Sequence, residues 1–82
     1  MTLEEALQEL ASTTNIKFAR LLIITEYFFG APRNRGTSHY AFKVPWQGEP
    51  RINLQRDKGG KAKPYQVKQV RAALLKLKEC KQ

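Results

Sequence analysis

A chain of 82 residues, 41% hydrophobic and 27% charged, is expected to form one small soluble domain; it is too short for two independent cores and too apolar to be disordered throughout. Its net charge of +8 and pI near 10.0 suit a polyanionic partner, nucleic acid in particular. The single cysteine, Cys80, excludes an internal disulfide, no apolar run is long enough to cross a bilayer, and Met1 leads into acidic sequence rather than a secretory leader, so a cytoplasmic protein with no membrane partner is expected.

Thr2 followed by Glu5 has the spacing of a capping box, and Leu3, Ala6, Leu7 and Leu10 then recur at helical intervals, which predicts a first helix over about residues 3–11. Ser12 to Asn15 reads as a link, with Asn15 as N-cap. Phe18, Leu21, Leu22 and Phe28 give the segment from Ile16 to Phe29 a broad apolar face, and Gly30 is placed to end this second helix. The period then changes. Ala31 to Arg35 is predicted as a short strand and Gly36-Thr37 as a tight turn. Ser38 to Val44 alternates, with Tyr40, Phe42 and Val44 on one side and His39, Ala41 and Lys43 on the other, until Pro45 ends the run.

After Gln47-Gly48-Glu49-Pro50, the run Arg51-Ile52-Asn53-Leu54-Gln55 alternates again, with Ile52 and Leu54 as the inward pair. Asp57 to Lys63 is a glycine- and lysine-rich loop, expected to be mobile. Pro64 suits the first turn of a last helix, whose apolar stripe is Val67, Val70, Leu74 and Leu77, with Lys68 and Lys76 on the wetter side. No internal repeat is present. This order of elements predicts an α+β domain with helices packed on one face of a three-stranded antiparallel sheet and water on the other face. The strand phases then place His39, Ala41, Lys43, Arg51, Asn53 and Gln55 together on the open face.

The charge is concentrated in the middle of the chain. From Arg33 to Lys63 there are eight cations (Arg33, Arg35, Lys43, Arg51, Arg56, Lys58, Lys61 and Lys63) against Glu49 and Asp57, so six of the eight net charges fall there. Several chemistries lack their residues. One histidine and one cysteine far apart give no zinc site, Gly59-Gly60-Lys61 lacks the rest of a P-loop, and the carboxylates cluster in the first helix rather than pairing beside the basic strands. Neither a metal nor another cofactor is expected.

RNA cleavage needs less from the protein, because the ribose 2′-hydroxyl is itself the nucleophile. The chain must supply a base for the hydroxyl proton, cations for the charge developing on phosphate, and a grip on the strand. An imidazole suits the base. The bland alternative is that a lone histidine on a basic strand only binds or is solvated, and that the loop lysines are a solvated surface. Trp46 and Tyr65 read first as packing residues.

Arg35-Gly36-Thr37-Ser38-His39-Tyr40-Ala41-Phe42 resembles the Gly-Ser-His-(His)-x-Phe strand of the HicA toxins, the small ribonucleases of type II toxin–antitoxin modules. Asn15-Ile16-Lys17-Phe18-Ala19-Arg20-Leu21-Leu22 is similar to the opening of that family's first core helix. Arg51-Ile52-Asn53-Leu54-Gln55, followed by Gly60-Lys61-Ala62-Lys63-Pro64-Tyr65-Gln66-Val67-Lys68-Gln69-Val70, is similar to the third strand and final helix of one HicA branch. The resemblance covers nearly all of residues 15–79, and the strand, basic loop and Lys-Pro-Tyr-Gln-Val helix in this order are more specific than the histidine strand alone.

The resemblance implies a single HicA-like domain over residues 1–82 with a double-stranded-RNA-binding-domain-like fold, residues 1–13 forming an additional N-terminal helix. It implies metal-independent cleavage of mRNA, with His39 as the catalytic histidine, and neutralisation by a HicB-type antitoxin covering the His39 face, in homo- or hetero-oligomers. Arg33, Arg35, Ser38, Lys43, Arg51, Lys58, Lys61, Lys63 and Lys68 are the RNA-binding candidates. Two departures stand out: Tyr40 follows His39 where the family often has a second histidine, and the Thr2–Ala11 helix precedes the family core, as a cap or as part of the partner contact. Two other readings stay open: a non-catalytic RNA-binding module of the same fold, and a protein-binding subunit whose basic face docks an acidic partner.

Overall fold

Helix α1 (Leu3–Glu9) begins where the capping box places it: Thr2 Oγ1 accepts from the Glu5 N–H at 3.1 Å, and Glu5 accepts from the Thr2 N–H at 2.8 Å. The structure, a computed structural model, describes residues 1–33 and 39–80. The remaining described elements are α2 (Phe18–Phe29), β1 (His39–Phe42), β2 (Ile52–Gln55) and α3 (Pro64–Cys80). Ala6, Leu7 and Leu10 bury the inner side of α1 against α3, and the ion pairs Glu9–Arg20 (2.6 Å) and Glu4–Lys78 (2.6 Å) tie its two ends to α2 and α3. The additional N-terminal helix is thus part of the core's cover.

Helix α2 starts at Phe18, two residues later than the periodicity predicts, and Asn15 is not its N-cap. Asn15 instead adopts a positive φ of 62° and its Oδ1 accepts from Lys61 Nζ at 3.1 Å. Lys17 holds the cap position without a side-chain bond. The orphan N–H of Phe18 donates to the Gly60 carbonyl at 3.0 Å, and the Ala62 N–H donates to the Ile16 carbonyl at 2.8 Å. Backbone from the 57–63 loop therefore does the capping, and the loop expected to be mobile is pinned along residues 15–18, with an antiparallel bridge between Lys17 and Lys61. At the other end Gly30, with φ of 86°, closes α2 as predicted, donating to the Glu26 carbonyl at 2.9 Å.

The sheet has two strands among the described residues rather than the three expected. β1 and β2 are antiparallel, with His39 opposite Gln55, Tyr40 opposite Leu54, Ala41 opposite Asn53 and Phe42 opposite Ile52. The segment expected as the first strand contributes one ladder-like bond: the Arg33 N–H donates to the Ala41 carbonyl at 2.8 Å, on the β1 edge away from β2. One bond is not a ladder, and Pro32 beside it has no N–H to add. Residues 34–38, which carry the rest of that expected strand, the Gly36-Thr37 turn and the candidates Arg35 and Ser38, lie outside the described residues.

The strand phases are as predicted. Phe42, Val44, Ile52 and Leu54 are buried, Tyr40 is half-buried, and His39, Lys43, Arg51, Asn53 and Gln55 are exposed. The core joins these inward residues to Phe18, Leu21 and Ile24 of α2 and to Val67, Val70, Ala73 and Leu74 of α3. Thr25, on the buried side of α2, turns its hydroxyl back to the Leu21 carbonyl at 2.7 Å, which satisfies it without a partner from elsewhere.

The outer edge of β2 is covered by side chains of α3. Gln69 Oε1 accepts from the Asn53 N–H at 3.0 Å, and Gln66 Nε2 donates to the Gln55 carbonyl at 2.9 Å. Residues 53 and 55 present their backbone groups to the same side of the strand, and Gln66 and Gln69, three apart, lie on one side of the helix. Two glutamines thereby stand in for a neighbouring strand and blunt an edge that would otherwise be open to pairing.

Candidate nucleic-acid interface

His39 opens β1 on the sheet face that carries no helix, directly across from Gln55. Because residues 53 and 55 send their backbone bonds outward to α3, His39–Gln55 and Ala41–Asn53 are the narrow pairs of the ladder, with Cα atoms about 4.5 Å apart and side chains close together. The imidazole is thus flanked by an amide side chain, and the small Ala41 side chain keeps the middle of the face low. Among the described residues no three of His, Cys, Asp and Glu gather as a metal-ligand group.

The predicted cations fall into separate groups. Arg33 and Arg51 line one groove across the open face with Ala41, Asn53 and Gln69. Glu49 also lines it, accepting from the Arg51 N–H at 2.9 Å, and so reduces the positive field there. Lys58, Lys61 and Lys63 are exposed on the loop that begins just past Gln55, at the His39 end of the sheet. Two of the three have local partners: Lys61 reaches Asn15, and Lys63 lies 3.7 Å from Asp57. Both pairs are exposed and therefore exchangeable for phosphate at small cost.

Lys43 and Lys68 are not brought to the same place. Four residues of extended chain put Lys43 about 13 Å from His39, where it borders an apolar recess formed by Phe28, Phe29, Val44, Pro45 and Leu77. Lys68 is on the wet side of α3, grouped with Arg71, Ala11 and Thr13, and faces away from the sheet. Arg35 and Ser38 are among the residues not described.

Three residues that are not among the RNA-binding candidates belong to this region. Arg56 places its guanidinium 5.0 Å from the centroid of the Phe18 ring, which also lies 5.8 Å from the Tyr40 ring centre to centre. The stack holds one more cation beside the His39 end. Tyr65, expected to pack, is exposed, whereas Gln66 after it is buried. The sequence did carry a signal for the glutamines: two amides three apart at the margin of an apolar stripe are suited to bond a strand edge. Trp46 fills the packing role instead, its indole N–H donating to the Pro50 carbonyl at 2.8 Å and its ring meeting Phe29 edge-on at 6.0 Å.

No family model, curated protein or solved structure matches the chain.

Proposed function

We propose that this protein is a HicA-like toxin: a metal-independent endoribonuclease that cleaves mRNA with His39 as general base, and that a HicB-type antitoxin silences it by covering the His39 face. The observation that carries the reading is the exposure of the single histidine on the helix-free face, between an arginine-lined groove and a lysine loop. RNA laid across that face meets Arg33 and Arg51 on one side of the imidazole and Lys58, Lys61 and Lys63 on the other. His39 takes the proton from a 2′-hydroxyl as its oxygen attacks the adjacent phosphorus. The neighbouring cations stabilise the charge that develops on the phosphate oxygens.

The leaving 5′-oxygen then needs a proton. Tyr40 is half-buried and packs on Phe18, on the opposite side of the strand from His39, so a loop lysine or solvent fits this role better. Without a second histidine, the enzyme is expected to be slow.

The chemistry of the cut ends tests the reading. Attack by the ribose hydroxyl leaves a 2′,3′-cyclic phosphate and a 5′-hydroxyl, and persists in the presence of a chelator. Fragments that carry a 5′-phosphate and vanish with chelator would point to metal-activated water and remove His39 from the centre of the mechanism.

A second reading has its own support. The Arg33–Arg51 groove is lined without His39, as expected of a module that binds RNA and does not cut it. That module would hold RNA with strong salt dependence and leave it intact after long incubation in protein excess.

A further inference from the structure

At the junction of β2 and α3, beside the open face, Gln55, Arg56, Asp57, Lys63, Tyr65 and Gln66 line a small polar recess. Two features of it are not accounted for by folding. The first is Gln66, only 1% exposed, whose side-chain amide is half used: Nε2 donates to the Gln55 carbonyl, while Oε1 has no partner among the described residues. The bond to a carbonyl fixes which end of the amide is nitrogen, because a carbonyl accepts and cannot donate. Buried acceptors without a donor are rare in native proteins and call for an explanation. The second is Tyr65, which precedes Gln66 and is 58% exposed, so a flat aromatic ring stands in water at the rim of the same recess.

We propose that this recess is a nucleobase subsite for the nucleotide flanking the phosphate at His39, and that it selects a base presenting an exocyclic amine. Its place in the reaction rests on the ribonuclease reading, and the register supplies the link, since Gln55 on the recess wall lies opposite His39. Tyr65 provides the stacking plane, which is worth a substantial part of single-strand affinity and tolerates any base. Gln66 Oε1 supplies the discrimination. Cytosine brings its N4 amine to that acceptor, whereas uracil, of nearly the same size and shape, sets its O4 acceptor against it. Arg56 and Lys63 neutralise the adjoining phosphates. Gln66 Oε1 is itself shielded from solvent, so entry of a base shifts the rim, where Tyr65 and Lys63 are both exposed side chains.

The test is equilibrium binding of the full chain to two 2′-O-methyl pentanucleotides, all-cytosine and all-uracil, which lack the hydroxyl needed for their own cleavage. The cytosine oligomer is expected to bind roughly tenfold tighter. Tyr65→Ala, a surface change whose fold is verified by circular dichroism, removes the stacking plane and is expected to weaken binding of both oligomers by about tenfold. Equal affinities in the parent, or affinities that Tyr65→Ala leaves untouched, would overturn the subsite. A parallel cleavage assay on ordinary RNA separates the two claims. A parent that cuts RNA yet binds both oligomers alike loses the subsite and keeps the ribonuclease reading. A parent that cuts nothing but discriminates the oligomers and loses affinity for them in Tyr65→Ala keeps the subsite as a binding site and loses the chemistry.

Discussion

Along β1 and β2, adjacent residues have opposite surroundings. Phe42, Ile52 and Leu54 are shut between the sheet and the helices, while Lys43, Asn53 and Gln55, one residue further along in each case, face water, as does His39 beside half-buried Tyr40. The inner set is apolar and closely surrounded; the outer set is polar, with arginines and lysines at its margins. A strand of period two thus divides the work by parity: one side makes the fold and the other is available for chemistry. The proposed function then predicts that the two sets separate under mutation, with inner changes costing stability and outer changes costing activity.

The largest loss is expected deep on the helix side. Leu74→Ala removes a fully buried side chain from the inner stripe of α3 and is predicted to cost about 2–5 kcal/mol. In a domain of this size that lowers the thermal midpoint by roughly 10 °C or more, read by circular dichroism. Asn53→Ala, on the open side, should stay within about 0.5 kcal/mol of the parent. A reversal of these two would break the division.

The β2 edge lies between the two regimes. Gln66→Ala leaves the Gln55 carbonyl unpaired and a small void behind it, and is predicted to cost about 1–3 kcal/mol in urea unfolding. At the periphery, Thr2→Ala dissolves the capping box of α1 and should cost about 1 kcal/mol, seen as faster amide exchange in α1 with β1 and β2 unchanged.

The smallest effect is one of pH. The hydrogen bond from Arg20, aided by its charge, holds the Glu9 carboxyl below its ordinary value of 4.5, and the hydrogen bond from the Thr2 backbone does the same for Glu5. A depressed folded-state value means that the stabilisation is complete above the unfolded value and is lost as pH falls through the folded one. Acid should therefore loosen α1 before the sheet, and Glu9→Gln should reduce that difference. A pH titration followed by NMR of α1 and β2 amides checks it; simultaneous loosening of both would contradict it.

How much of this was legible in the sequence follows from range. The capping box, the Gly30 stop, the α3 stripe and the strand parity depend on neighbours within a few residues, and the structure has them as read. What was missed depends on contacts distant in the chain. The start of α2 was misplaced because its cap is the carbonyl of Gly60, more than forty residues away, and the Asp57–Lys63 loop looked free for the same reason. Ile24 and Thr25 were not marked as core because α2 is apolar on nearly every side, so its pattern alone does not select a face. The candidate site was legible in its histidine, which parity alone exposes. The grouping of its cations was not, because Lys43 and Lys68 are assigned to other surfaces by tertiary packing.

One paired measurement bears most directly on the division between the folding side and the side proposed to react: RNA cleavage rate and urea unfolding of His39→Ala beside the parent. The expected result is a rate lower by about 10²–10⁴-fold with unfolding free energy unchanged to within about 0.5 kcal/mol. A folded variant that cuts RNA as fast as the parent would contradict the account.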